Sequence, residues 1–385
     1  MMSSRRVVIT GLGSVNAAGA GGAPAVAEAL ERRPATIAPV AAFALDGCAS
    51  RLAAEADEAR FMELLEPLDV RRLSRICRMT LAACRAAIQE AGLEGGARLG
   101  LVVGSEHGDF RSGADFIDGF LKRGPSGLSP MMLPSTVMNS MAAVAGIAIE
   151  AKASSVTLNQ ATVAGDLAVA RGAALIAHGR ADAVIAGGVD ELFSHVYRNL
   201  ARLGALSPMG GGAPEGCRPY AADHNGPVLG EGATFVVLEE REAARARGAA
   251  ILAEILGAAW GAIPVAPHTA PARRRDRRAL ARRALDQARV GADSLARCYG
   301  SGNGDPALDD WELRLLEADG VRDPISLAPL FGQHGGLGAL RVAAAALDAR
   351  AGRGPALVHG IARGGCRTAL VVAAPDQPRR SGVIT

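Results

Sequence analysis

The stretch with the most evident chemical potential runs Val156-Thr-Leu-Asn-Gln-Ala-Thr-Val-Ala-Gly-Asp-Leu-Ala-Val-Ala-Arg171. Ser155 to Leu158 favours strand, and after Gln160 the pattern becomes Ala-rich and helical. Ala161, Ala164 and Gly165 are small enough to let backbones pass closely at the turn between them. A side chain at such a turn stands at a helix N-terminus, where exposed N–H groups and the helix dipole stabilise negative charge. That is a place for an activated nucleophile, and the residue there is Thr162. A threonine hydroxyl is a poor nucleophile without an adjacent base, so a structural role for Thr162 is the expectation.

The surroundings of the turn are distinctive. Gly179 is followed by Ala181-Asp-Ala-Val-Ile-Ala-Gly-Gly-Val-Asp190, a buried strand with glycines near its end. Further on comes Arg218-Pro-Tyr-Ala-Ala-Asp-His-Asn-Gly-Pro-Val-Leu-Gly-Glu-Gly-Ala-Thr-Phe-Val-Val-Leu-Glu-Glu240. Together with the opening Arg5-Arg-Val-Val-Ile-Thr-Gly-Leu-Gly13, these ordered segments resemble the β-ketoacyl-acyl-carrier-protein synthases of type II fatty acid and polyketide pathways, over nearly the whole chain. The resemblance implies an α/β protein of the thiolase fold. Two βαβαβαββ halves, residues 1–240 and 241–385, would form one unit of five layers, α-β-α-β-α.

The resemblance also implies which positions once did chemistry. Claisen condensation on a carrier needs a thiolate, donors that polarise the malonyl thioester, and an oxyanion hole. The family's cysteine aligns with Thr162. Its first histidine, in a His-Gly-Thr-Gly-Thr pattern, aligns with Tyr299 in Cys298-Tyr-Gly-Ser-Gly-Asn303, and Glu312 matches the acidic residue downstream. Its Lys-Ser-x-x-Gly-His-x-x-Gly pattern falls on Ala328-Pro-Leu-Phe-Gly-Gln-His-Gly-Gly336, placing Ala328 at the lysine and Gln333 at the second histidine. His334 stands one residue late, and Arg363 takes the place of the gating phenylalanine. No functional catalytic residue is therefore expected.

The leading expectation is a chain length factor, or ketosynthase β subunit. Such a chain forms a heterodimer with a cysteine-containing ketosynthase and shapes the acyl tunnel during elongation on acyl carrier protein. Many chain length factors have glutamine where this chain has threonine. Phe110, Phe116, Phe120, Met138 and Met141 lie where the family lines the interface and tunnel. The strand Ser155 to Asn159 would pair across the dimer axis, and a proline at Val156 is expected to disrupt that pairing. The alternatives are an enzyme of altered acyl-thioester chemistry (decarboxylase, hydrolase or acyltransferase) with Thr162 at the nucleophile position, and a scaffold without an acyl cavity.

The elements that must position these residues follow from periodicity. Arg6 to Thr10 reads as a first strand, with Gly11-Leu-Gly13 as a tight turn. Leu73, Ile76, Cys77, Thr80, Leu81, Cys84 and Ile88 repeat at helical spacing, giving a helix from Arg71 to Ala91 that Gly92 stops. Leu99 to Gly104 is a buried strand, with Ser105-Glu-His-Gly108 at its carboxyl end, and Asp115 to Leu121 is a short helix. In the second part, strands at Ile251 to Gly257, Leu295 to Gly300, Ala356 to Gly360 and Ala369 to Ala374 alternate with helices at Arg277 to Gln287 and Gly335 to Leu347.

Composition sets the remaining bounds. The 385 residues are 49% hydrophobic with 48 glycines and few aromatics, which suits aliphatic strands and Ala-rich helices. A net charge of +3 gives no ground for nucleic-acid binding. The basic run that includes Arg273, Arg274, Arg277 and Arg278 reads most simply as a solvated helix face, and secondarily as a docking patch for an acidic carrier protein. Six cysteines without ligand spacing suit free thiols in a reducing cytoplasm. His107, His178 and His195 share no metal-like spacing, so neither metal nor cofactor is expected. The uncharged run Gly124 to Ile149 is broken by Pro125, Pro130 and Pro134, so it reads as a buried loop and core helix rather than a membrane span.

Overall fold

Val7–Asn16 is a ten-residue strand buried along its whole length. In the computed structural model, which describes residues 5–96, 98–210, 213–266, 269 and 280–375 (at Val70 the backbone only), this strand lies near the middle of the main sheet. It pairs antiparallel with Gly232–Glu240 on one side and, through Val7 to Ile9, with Ala253–Ala262 on the other.

That second contact is a seam between two strand sets of the same plan. On one side, Ser155–Asn159, Leu99–Ser105 and Ala183–Asp190 run parallel, followed by antiparallel Gly232–Glu240 and Val7–Asn16. On the other, Arg297–Tyr299 runs parallel to Ala356–Ile361, followed by antiparallel Cys366–Ala373 and Ala253–Ala262. A parallel bridge from Tyr299 to Ile325 stands where the first set has its outer strand.

Helices fill the space between and outside the sets. Ala164–Ala177 and Leu337–Arg350 pack on each other and touch strands of both, forming the central layer. Nearly all of the 14 residues of Leu337–Arg350 are buried, as expected of a helix enclosed on every side. Arg75–Ala91 and Ser140–Ala148 cover one outer face, and Leu280–Ala288 covers the other. The result is the five-layer α-β-α-β-α arrangement of the thiolase fold.

The glycine pair after Thr10 makes no turn. Gly11 and Gly13 lie inside the first strand, and the reason is tertiary. A Cβ on Gly13 would stand 2.0 Å from the Ala83 carbonyl oxygen, and one on Gly11 would stand 2.3 Å from that of Ala87. The missing side chains let Arg75–Ala91 lie directly on the strand. That helix also starts later than its periodicity suggests, because the chain breaks at Leu73 and Ser74 after a separate turn of helix, Pro67–Arg72.

One ion pair sits inside the central layer. Arg341 and Asp166, on its two helices, are 1% and 0% exposed and 2.5 Å apart. Burial pushes the Asp166 carboxyl above its ordinary range, and the guanidinium opposes that. Removing one partner strands a buried charge, so Arg341→Ala is expected to cost about 3–5 kcal/mol of stability. Asp166→Ala/Arg341→Met should recover part of the loss, since it replaces the pair by apolar groups. Denaturant midpoints of the variants measure both effects.

Candidate functional site

Thr162 stands between the strand Ser155–Asn159 and the helix Ala164–Ala177. Its φ is +58°, in the left-handed region that a β-branched residue rarely enters. The turn is closed by the Val163 N–H donating to the Ala161 carbonyl at 2.5 Å. Such backbone costs on the order of 1–3 kcal/mol and gathers at functional sites. Gly104 allows the helix to start so close, because a Cβ there would lie 2.2 Å from the Ala164 carbonyl oxygen.

Strand ends converge on this turn. The Asp190 carboxylate accepts the Gly335 N–H at 2.7 Å, the Ser105 hydroxyl at 2.7 Å and the backbone N–H groups of Glu106 and His107 at 3.1 Å. It thus joins the carboxyl ends of two parallel strands to the segment leading into Leu337–Arg350. Ligand sites of α/β sheets lie at such carboxyl ends. Here they border a cavity of about 160 Å³ lined by Thr162, Glu106, His107, Gln333, His334 and Asn303, among others.

Glu106 is the residue that reading the sequence left without a role. Its Oε2 accepts the Thr162 N–H at 3.1 Å. Burial pushes its carboxyl above the ordinary range, His107 pulls it back, and Asp190 adds to the rise. The signal was its place directly after the buried strand Leu99–Ser105.

The expected catalytic positions separate in space. Gln333 reaches the cavity, 8% exposed, and neither its amide oxygen nor its nitrogen has a hydrogen-bond partner. Ala328 does not: it is fully buried in the central apolar cluster, so a methyl group stands at the position aligned with lysine. Tyr299 also stays away. Its strand pairs with Ala356–Ile361 and turns the ring into the central layer, where the hydroxyl donates to Asp348 at 2.7 Å. The residue aligned with the family's first histidine therefore does not line the cavity. From the same segment, Asn303 and Asp305 are the residues that line the cavity, with Arg363 pairing to Asp305 at 2.7 Å.

His334 lines the cavity too, and its Nδ1 accepts the Gly336 N–H at 3.1 Å. Burial lowers its pKa to about 4, so the ring is neutral at pH 7. Glu312 is buried outside the cavity. It accepts hydrogen bonds from Tyr220 at 2.6 Å and the Ser301 hydroxyl at 3.0 Å, and it pairs with His359 Nδ1 at 2.8 Å. Burial raises its pKa, but His359 and the other bonds outweigh that and hold it below the ordinary range.

The interface candidates divide. The helix extends over Phe110–Arg123, longer than expected, and none of its described residues is buried. Phe110 and Phe120 are exposed, as are Ile117 and Leu121, while Phe116 is half-buried. Met138 is exposed, its sulfur 4.0 Å from the Asn159 side-chain nitrogen. Met141 is corrected: it is fully buried in the cluster under Arg75–Ala91 and belongs to this chain's own core. Arg273, Arg274, Arg277 and Arg278 lie outside the described residues. Among the described residues, no helix is long and apolar enough to cross a membrane.

Comparisons with known proteins identify the family and the fold. Residues 4–244 match the family described as Beta-ketoacyl synthase, N-terminal domain. The chain is 31% identical over 261 residues to 3-oxoacyl-[acyl-carrier-protein] synthase 2 of Coxiella burnetii, covering 66% of this chain and 63% of that protein's length. It is 32% identical over 365 residues to a protein of Streptomyces virginiae named as a polyketide beta-ketoacyl synthase 1, covering 90% of this chain and 86% of that one. The solved ishigamide ketosynthase/chain length factor superposes with a TM-score of 0.86 at 25% identity, over 97% of this chain and 100% of that one. The chain belongs to the beta-ketoacyl synthase family.

Proposed function

We propose that this chain is a non-catalytic ketosynthase-like subunit, a chain length factor, built from ketosynthase-like halves 1–240 and 241–385. It pairs with a cysteine-containing ketosynthase in the cytoplasm and supplies one wall of the acyl tunnel during elongation on acyl carrier protein. The observation that carries this reading lies along one strand. Ser155–Asn159 ends the main sheet without a second neighbour among the described residues, and it runs directly into a turn that holds Thr162 in place of a thiol. Met138 lies exposed against Asn159 at its end, and the helix Phe110–Arg123 also leaves apolar side chains exposed, of the kind that mark protein–protein contacts. The likeness to the ishigamide ketosynthase/chain length factor supports the same role.

The test is co-expression with a cysteine-bearing ketosynthase, followed by mass measurement of the assembly and assay of each chain alone and together. Elongation should require both chains. Elongation by this chain alone would overturn the reading.

Phe116 is the wall residue to change, because it is half-buried on a helix whose other large apolar side chains, Phe110, Ile117, Phe120 and Leu121, are exposed. Phe116→Ala removes a ring's volume, so the working pair should make products longer by roughly one extension step. Mass spectrometry of the products decides. Unchanged lengths from a pair of normal rate would assign Phe116 to packing alone.

A further inference from the structure

The helix Ala164–Ala177 begins without a side-chain cap. Its first turn and the Thr162 N–H therefore make an anion site, for the reasons of dipole and unpaired donors that apply to any helix N-terminus. The site is not left open. Glu106 reaches across from the end of Leu99–Ser105 and places Oε2 3.1 Å from the Thr162 nitrogen. We propose that Glu106 is an internal occupant of this anion site, a carboxylate supplied by the chain itself where a ligand's carbonyl or carboxylate would otherwise be received.

Three features support a site that is built and then closed. The Gln333 amide is more than nine-tenths buried and lines the cavity, with both polar atoms unpartnered. Its amide NH2 is a donor that a bound carboxylate or carbonyl would satisfy. The cavity left beside Glu106 is about 160 Å³, below the roughly 300 Å³ at which small-molecule pockets begin. Finally, Asp190 fixes the backbone of residues 106 and 107 through their N–H groups, so Glu106 is held at the turn rather than swinging free.

The carboxyl sits among other titratable groups. His107 is next to it in sequence, Asp190 and Glu191 come from the end of Ala183–Asp190, and His334 precedes Leu337–Arg350. Asp305 and Arg363 pair with each other on the far wall. Burial raises the Glu106 carboxyl, as it would for an anion kept in place by few donors.

This inference deepens the non-catalytic reading and rests on it, but its test does not use condensation. A cysteine placed at residue 162 reports the local charge through its thiol pKa. In Thr162→Cys, Glu106 should oppose the thiolate and keep that pKa above the ordinary value of about 8.5. In Thr162→Cys/Glu106→Gln the charge is gone and the shape is kept, so alkylation by iodoacetamide at pH 7 should be at least about tenfold faster. The rate is followed on the peptide containing residue 162 by mass spectrometry, and equal rates would overturn the proposal. A second readout needs no new thiol. Acetate should raise the Tm of Glu106→Gly and leave that of the wild-type chain unchanged. Stabilisation of both alike, or of neither, would equally overturn it. Either failure leaves the non-catalytic reading standing, whereas condensation by the isolated chain would overturn that reading alone.

Discussion

Thr162→Cys is expected to leave condensation undetectable, at least about 10⁴-fold below a cysteine ketosynthase given the same carrier thioesters. Restoring the thiol restores one part of a unit whose members fail together. The position aligned with the lysine is Ala328, fully buried in apolar packing and not among the residues that line the cavity. Gln333 can donate a hydrogen bond but cannot exchange a proton near neutral pH. His334 is neutral, with its Nδ1 committed to Gly336. The N–H that would steady a developing oxyanion is already on Glu106. The assay offers acyl and malonyl carrier thioesters to the purified variant and looks for the ketoacyl product by mass spectrometry. Turnover by this variant, or by the wild-type chain, would mean that another group supplies the missing chemistry.

Much of this was legible in the sequence, and the misses share a cause. Buried strands such as Leu99–Ser105 and Ala183–Asp190 announce themselves as apolar runs bounded by turn residues, and the turn at Thr162 follows from the switch of period around Gln160. What failed depended on which surfaces meet. Gly11 and Gly13 look like turn residues locally, but the nearby helix backbone is what excludes their side chains. Tyr299 matched its motif by spacing, yet strand pairing sends its ring into the central layer. Met141 has the residue type of a tunnel wall and the surroundings of a core. Glu106 follows a strand the sequence shows, but its partner comes from register: Ser105 lies opposite Asn159, so the next residue reaches the turn that Asn159 leads into.

Register also sharpens the test of pairing. The Leu101 N–H donates to the Ser154 carbonyl, and the Gln160 N–H donates to Ser105. In a parallel ladder with Val102 opposite Val156, this phase turns the N–H groups of Val156 and Leu158 inward, toward Leu99–Ser105. Those of Ser155, Thr157 and Asn159 face the open edge. A proline at Val156 would therefore damage this chain's own sheet, so the expected effect on a partner cannot be read from it. Thr157→Pro removes an outward donor at the middle of the strand, where an edge tolerates proline. The fold should survive, with a circular dichroism spectrum and Tm close to those of the wild-type chain. Pairing should not, because a facing carbonyl in the partner strand would lose its donor. One unsatisfied buried group costs about 1–3 kcal/mol, which is roughly a 5- to 150-fold rise in Kd. Mass photometry of the ketosynthase pair across a dilution series measures that rise. An unchanged Kd in a folded Thr157→Pro chain would remove this strand from the interface and leave the apolar face of Phe110–Arg123 to account for assembly by itself.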